Sequence, residues 1–379
     1  MRRGRKSHGS GFRRNPAGCK PTEGWRELRN CLILEMLDSA EQNLPRHPDR
    51  TAVSDLPAPN DTLSGESRTI VTTASAPIAP FMIPSEGHTY IEQVRSRCRD
   101  LIDCGIWSGL HIQRLNQWWS NFRNDSERYF AACLLDSITY RSEDQTIALM
   151  RQLVQRVLPD HGRASGGIVD WQERLRPASS DPGVRLVPVV PFGSAPGKSA
   201  DVILRLFARK LHVPRRVFAN PEDIASLVAG GMEAIVFVDD LLGTGTQFVK
   251  DFAIPYGLGN LGTNTRLIYA PLVAHDDGVA HIHSNLPNVS VASAETLGPS
   301  HAIFGAGGRT FKDGLNSPQS AWSLYLNILS TRGIVLGSSI HRGFGALELA
   351  FFFEHAAPNN CLPIFWWNQP AKWKSLFDR

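Results

Sequence analysis

The chain is short of the features that would assign it quickly. Its six cysteines (Cys19, Cys31, Cys98, Cys104, Cys133 and Cys361) are scattered and form no C-x-x-C pair. That spacing argues against a zinc site or a disulfide framework and for reduced thiols in a cytoplasmic protein. No stretch reaches the roughly 18 uninterrupted apolar residues that a transmembrane helix needs, so no membrane contact is expected. The start is basic but lacks an apolar h-region, so no secretory signal is expected. No internal repeat is present, so solenoids and propellers are excluded as well.

Charge is present but unevenly placed. The formal net charge is +4 over 379 residues. Residues 1–20 hold seven Arg or Lys and no acid, so the remainder carries −3. A basic tail therefore sits in front of a mildly acidic body. Such tails are usually solvated, and contact with nucleic acid is a subsidiary expectation. Beyond it, "TEGWRELRNCLILEMLDSAEQNL" (22–44) has the period of an amphipathic helix. "SDLPAPNDTLSGES" and "TTASAPIAP" read as linker. Residues 1–85 are thus expected to be a disordered basic leader and linker.

Residues 86–160 have helical periodicity throughout. "YIEQVRSRCRDLIDCG" sets Ile91, Val94, Cys98, Leu101 and Ile102 on one face and stops at Gly105. Three more helices are expected, over "LHIQRLNQWWSNF", "SERYFAACLLDSITY" and "SEDQTIALMRQLVQRVL", with Ser126 and Ser142 as starts. The Trp118, Trp119, Phe122, Phe130 and Tyr140 cluster at that spacing reads as core rather than as a base-stacking platform. From 180 to 379 the texture changes to alternating strands and helices, which implies a mainly parallel sheet covered on both faces. Strands are expected at "VRLVPVV", "RRVFAN", "AIVFVDD", "TRLIYAPLV", "VSVASAE" and "ALELAFFFEHAAPNN", the last leaving the sheet.

The stretch "IVFVDDLLGTGTQF" (235–248) carries the chemistry. A buried strand ends in Asp239 and Asp240, a Gly-Thr-Gly-Thr turn follows, and a helix begins near Thr246. Ligands of open α/β sheets bind where strands end and helices start. Gly243 and Gly245 let the backbone approach a ligand closely. The amides of the next helix suit a phosphate, and Thr244 and Thr246 add hydroxyl donors. The carboxylates would accept hydrogen bonds from sugar hydroxyls. An open hollow beside Gly245, with both carboxylates reachable, is therefore expected. The plain alternative is a polar strand end capping a turn, for which one carboxylate would suffice.

This stretch resembles the phosphoribosyl-pyrophosphate motif of the type I phosphoribosyltransferases: an apolar strand, two acids, two apolar residues, then Thr-Thr-Gly-x-Thr. Gly243 stands for the first Thr and Gln247 for the last. The Asp-Asp-x-x-Gly-Thr-Gly-x-Gln form is similar to the phosphoribosyltransferase-like (PRTase-CE-like) domains of prokaryotic conflict systems. "WWSNFRNDSERYFAACLLDSITYRS", "GSAPGKSAD" and "APNNCLPIFWWN" support that likeness, which spans about Tyr90 to Arg379. It implies an α/β core of type I phosphoribosyltransferase-like topology over 180–379. Ahead of that core would lie the helical module, and a hood segment would close the C-terminus. It further implies binding of phosphoribosyl pyrophosphate or a nucleotide 5′-phosphate with Mg2+. Asp239 and Asp240 would be the catalytic pair, with indirect metal contact. Gly243, Thr244, Gly245, Thr246 and Gln247 would hold the ribose 5-phosphate, and Ser194, Gly197, Lys198 and Ser199 the pyrophosphate. Asn359 and Asn360 stand equally as acceptor-base contacts and as ordinary turn residues.

Three functional classes remain open from the residues. A pentosyltransferase, acting as effector in a bacterial conflict or phage-defence system, is the first. A non-catalytic nucleotide sensor signalling to a partner protein is the second, favoured by the Gly243 and Gln247 departures. A P-loop ATPase is the weakest, because only three residues separate Gly193 from Gly197 where the cradle needs four. His275, Asp276 and Asp277 read as a solvated loop, and His281 with His283 as surface helix.

Overall fold

The computed structural model describes residues 79–178, 183–194, 199–261, 264–311 and 313–379. The expected leader helix at 22–44, the basic tail, Gly197 and Lys198 lie outside them. The described residues all belong to one compact unit.

Helix α1 (Gly87–Asp103) buries Ile91, Val94 and Cys98, the face that its apolar period specified. Helix α2 (Ile112–Trp119) buries Leu115 and Trp118. Helix α3 (Asp125–Asp136) starts one residue earlier than its serine suggested. The side chain of Asn124 accepts from the Glu127 amide at 2.9 Å and is the true cap. It also ends early: Thr139–Arg141 is a strand, β1, so the segment ahead of the sheet is not wholly helical. Helix α4 (Glu143–Gln152) begins at a capping box of Ser142 and Gln145. It runs on through a π-helical turn (Leu153–Val157) into α5 (Leu158–Ser165), where Gly166 adopts φ 65° and ends it.

The main sheet is parallel. Strand β2 (Val184–Pro188) pairs with β3 (Ala234–Leu242), and β3 with β4 (Arg266–His275). The far side of β4 is filled end to end by β5 (Val289–Val291) and β6 (Glu295–Leu297), where one continuous strand was expected. "RRVFAN" supplies a 3-10 turn and a single bridge, Phe218 to Leu186, instead of a full strand. β3 is central and buried on both faces, which is why its sequence is continuously apolar until the aspartates. On one face Val187, Phe237, Tyr269 and Val289 meet Phe248, Phe252, Leu258 and Ile282. Each such ring or branched side chain contributes about 1.5–3 kcal/mol by leaving water.

Helix α6 (Ser199–Lys210) packs on β2 and β3, and α7 (Asp276–Asn285) on β4 and β5. Residues 246–253 begin as α-helix and become π-helical from Phe248 to Ala253. Helix α8 (Pro318–Thr331) follows the sheet. The last strand, β7 (Phe351–Phe353), leaves the main sheet and pairs in parallel with β1. The C-terminal tail locks onto α2: Nε1 of Trp118 donates to the Ile364 carbonyl at 2.8 Å, and its ring stacks on Phe365. Trp373 donates to the same carbonyl at 3.0 Å. Trp118, Phe122, Phe130 and Tyr140 are core, as their spacing indicated, whereas Trp119 is half-buried with the Arg95 guanidinium over its ring. Among the described residues no helix is long and apolar enough to cross a membrane.

Candidate functional site

β3 does not stop at its aspartates. It stays in register with β4 to Leu242, so both carboxylates sit inside the sheet. They are 6 % and 7 % exposed. Adjacent residues of a strand point to opposite faces, and the two aspartates accordingly find different partners. Oδ2 of Asp239 accepts from the Tyr269 hydroxyl at 3.1 Å, and its Oδ1 accepts from the Asp240 amide at 3.0 Å. The Ser199 hydroxyl, at the start of α6, stands 3.5 Å from the same Oδ1. Asp240 accepts from the Leu241 amide at 2.7 Å, and its Oδ2 lies 3.1 Å from Nε2 of His355.

Burial pushes the Asp239 carboxyl well above the usual carboxylate range, and the neighbouring Asp240 charge adds to the shift. Tyr269 is raised by burial and then by Asp239, so the two share a proton-rich pocket. Its ring is stacked on Phe248 at 4.0 Å, which fixes the hydroxyl on the carboxylate.

The glycine-rich turn is covered. A Cβ at Gly243 would overlap the side-chain carboxamide of Asn360, and one at Gly345 would overlap the Thr244 methyl. Gly245 has φ +77°, and a Cβ there would stand 3.0 Å from the Gly278 carbonyl, with His281 next to it. Asn360 itself is buried and donates to the Phe344 carbonyl at 2.9 Å. The expected open hollow beside Gly245, with both carboxylates reachable, is therefore not what the fold presents. The C-terminal segment around Gly343–Asn360 lies over the turn, and the carboxylates are beneath the surface. Thr244, Thr246 and Ser199 remain half-buried and Gln247 is exposed, so hydroxyls survive around a covered centre. Ser194 is half-buried and makes no hydrogen bond to the turn among the described residues. Thr244 donates to Thr246 at 3.1 Å.

The fold thus joins Ser199 to Asp239, Asn360 to Gly243 and Thr244 to Thr246. Asn359 is half-buried and spends its backbone carbonyl on the Phe344 amide. Two participants were missed from sequence. His355 follows a run of phenylalanines as part of the polar pair Glu354-His355 ending β7. Tyr269 is a lone phenol inside an apolar strand, and a buried phenol needs a partner.

The family profile of PRTase-CE matches residues 115–379, more than two thirds of the chain. The chain belongs to the PRTase-CE family. No curated protein matches it. The PRTase-CE residues form a phosphoribosyltransferase-like domain, and they include β3, its turn and the C-terminal cover.

Magnesium fits only part of this PRTase-CE site. Mg2+ usually takes one or two carboxylates and completes its shell with water and substrate phosphates. Asp240, whose carboxylate meets His355 and the Leu241 amide, suits such a role. Asp239 does not, because burial favours its protonated form. No group of three His, Cys, Asp or Glu side chains converges among the described residues. At the end of β4, Nδ1 of His275 accepts from the Asp277 amide at 3.2 Å, so these residues cap α7 instead of forming a loop. His281 and His283 are on that same helix.

Proposed function

We propose that this PRTase-CE chain binds phosphoribosyl pyrophosphate or a nucleotide 5′-phosphate with magnesium, and that binding displaces the C-terminal segment. The domain would then act as a nucleotide-sensing module that signals to a partner protein. The carrying observation is Asn360 seated over Gly243. A phosphate seeking the turn amides and the Asn360 carboxamide compete for one place, so ligand and cover are alternative occupants. A ligand shifts such an equilibrium by its preference for the open form. The displaced segment continues into Ile364 and Phe365, which hold Trp118 of α2, and this gives a route from the turn to the helices.

The chain's own groups would divide the work. Thr244, Thr246, Ser194 and Ser199 would donate to phosphate oxygens, and Asp240 would accept from ribose hydroxyls or bind water on the metal. Magnesium would offset the pyrophosphate charge. Asp239 and Tyr269 would hold β3 in place beneath the sugar. A role as effector in a bacterial conflict or phage-defence system belongs to the same proposal and rests on the family likeness.

A pentosyltransferase is the second reading, favoured by the Asp240–His355 pair at 3.1 Å. A carboxylate braced by an imidazole at the ribose could stabilise positive charge on the sugar as pyrophosphate leaves C1. One experiment separates the two. The full chain is titrated calorimetrically with phosphoribosyl pyrophosphate, with and without magnesium, while pyrophosphate release is followed in parallel. Magnesium-dependent heat without release, and tighter binding in Asn360→Ala, supports the sensor. Release abolished in Asp240→Asn supports the transferase. Absence of heat in both the native chain and Asn360→Ala overturns both.

A further inference from the structure

A cavity of about 580 Å³ opens between α1, α3, β7 and the loop that follows β6. It shares no lining residue with the end of β3, and its α1 wall precedes the residues that define the family. Its volume is that of a small-molecule site. Two Tyr–Asp pairs line it. The Tyr90 hydroxyl donates to Asp136 at 2.7 Å, and the Tyr129 hydroxyl donates to Asp313 at 2.9 Å. Burial raises both phenols, so they stay protonated. Their protons are committed to carboxylates, which leaves the phenolic oxygens as acceptors. The Ser137 hydroxyl, also in the lining, is spent on the Leu134 carbonyl. The tyrosine end of the cavity therefore offers acceptors to N–H donors.

Flat apolar faces flank that end, and Thr139, Ser300, His301 and Thr310 line the rest. The Phe311 ring stacks nearly parallel to Phe130, 5.6 Å between centroids, and the Tyr90 and Tyr129 rings lie 5.7 Å apart. At the rim, Arg309 is exposed and makes no ion pair among the described residues. A free guanidinium beside an acceptor-lined aromatic hollow selects an anion outside and amino groups inside.

We infer that this cavity is a second ligand site for an amino-substituted heteroaromatic ring with an anionic tail, of which an adenine nucleotide is the simplest kind. The ring would lie against the tyrosines and Phe311 with its amino group on the phenolic oxygens. The phosphate would meet Arg309. Nothing in this proposal depends on a phosphoribosyl ligand at the end of β3.

Calorimetric titration of the full chain with adenosine monophosphate, adenosine and inosine monophosphate tests it. With magnesium phosphoribosyl pyrophosphate saturating the end of β3, which would itself accept a nucleotide 5′-phosphate, adenosine monophosphate is expected to bind one per chain. Inosine monophosphate, which presents a carbonyl where the amino group was, is expected to bind about tenfold more weakly, as loss of a hydrogen bond facing buried acceptors implies. Arg309→Ala should weaken adenosine monophosphate about tenfold while leaving adenosine unchanged, and its exposed position spares the fold. Tyr129→Phe should erase the preference for the amino ring. No heat under that saturation, equal binding of the two nucleotides, or indifference to Arg309→Ala each overturns the assignment.

Discussion

Asn360 stands where any side chain on Gly243 would have to go. Its carboxamide is anchored on the Phe344 carbonyl and faces the turn that ends β3, more than a hundred positions earlier in the chain. This contact accounts for the glycine at the place where the phosphoribosyltransferase motif carries its first threonine. It also makes the turn and the C-terminal segment one packed unit.

Gly243→Ala should therefore destabilise the fold by about 2 kcal/mol, the scale of overpacking at a rigid contact. Asn360→Ala in the same chain should recover most of that loss. Urea unfolding of the two single variants and the double variant measures it, and additive losses would show that the two residues are not coupled.

Asp239 gives a pH signature. Its folded pKa is raised above the unfolded value, so the native state binds the extra proton. That contribution is full at pH below the unfolded carboxylate value and is lost as pH rises through the folded one. Asp239→Asn removes the ionisation and keeps one acceptor for Tyr269. Its stability relative to the native chain should accordingly improve from pH 4 to pH 8. Thermal unfolding across that range checks it, and a difference that does not change with pH refutes it.

His355 is half-buried, meets Asp240 through Nε2 and lies against the Phe353 ring, a contact that the similar-sized glutamine largely keeps, so His355→Gln should fold normally. Binding of magnesium phosphoribosyl pyrophosphate should weaken about tenfold, the usual effect of losing one charge-assisted hydrogen bond. Unchanged affinity would remove His355 from the site.

Trp118 is fully buried and joined to the tail by a hydrogen bond and a stacked ring. Trp118→Ala should cost about 3–5 kcal/mol. Because the tail and α2 share that contact, hydrogen exchange should speed up in both 112–119 and 361–377. Faster exchange in α2 alone would show that the tail is held independently.

Glu127 and Arg332 form a buried ion pair, and Arg332 also donates to the Asn121 carbonyl. Glu127→Gln leaves a cation buried without its partner and should cost about 3–5 kcal/mol. Denaturant unfolding reads this directly, and a loss under about 1 kcal/mol would place the pair in effective contact with water.

Periodicity alone revealed α1, α4, α6 and α8, because each has one apolar face and a local start or stop. The continuous apolar run of β3 announced a strand buried on both faces, and the acid pair with its glycine turn announced the family. β1 was hidden. Three residues of mixed polarity become a strand only by pairing with Phe351–Phe353, and no local pattern encodes a partner so distant. Openness was equally invisible: glycines that permit close approach admit a ligand and a neighbouring chain segment alike, since both ask only for the missing Cβ. Side-chain type and spacing are local properties and could single out Asp239 and Asp240 as an acid pair before a glycine turn. Which atoms cover that pair depends on contacts between remote segments, and packing alone placed Asn360 and His355 there.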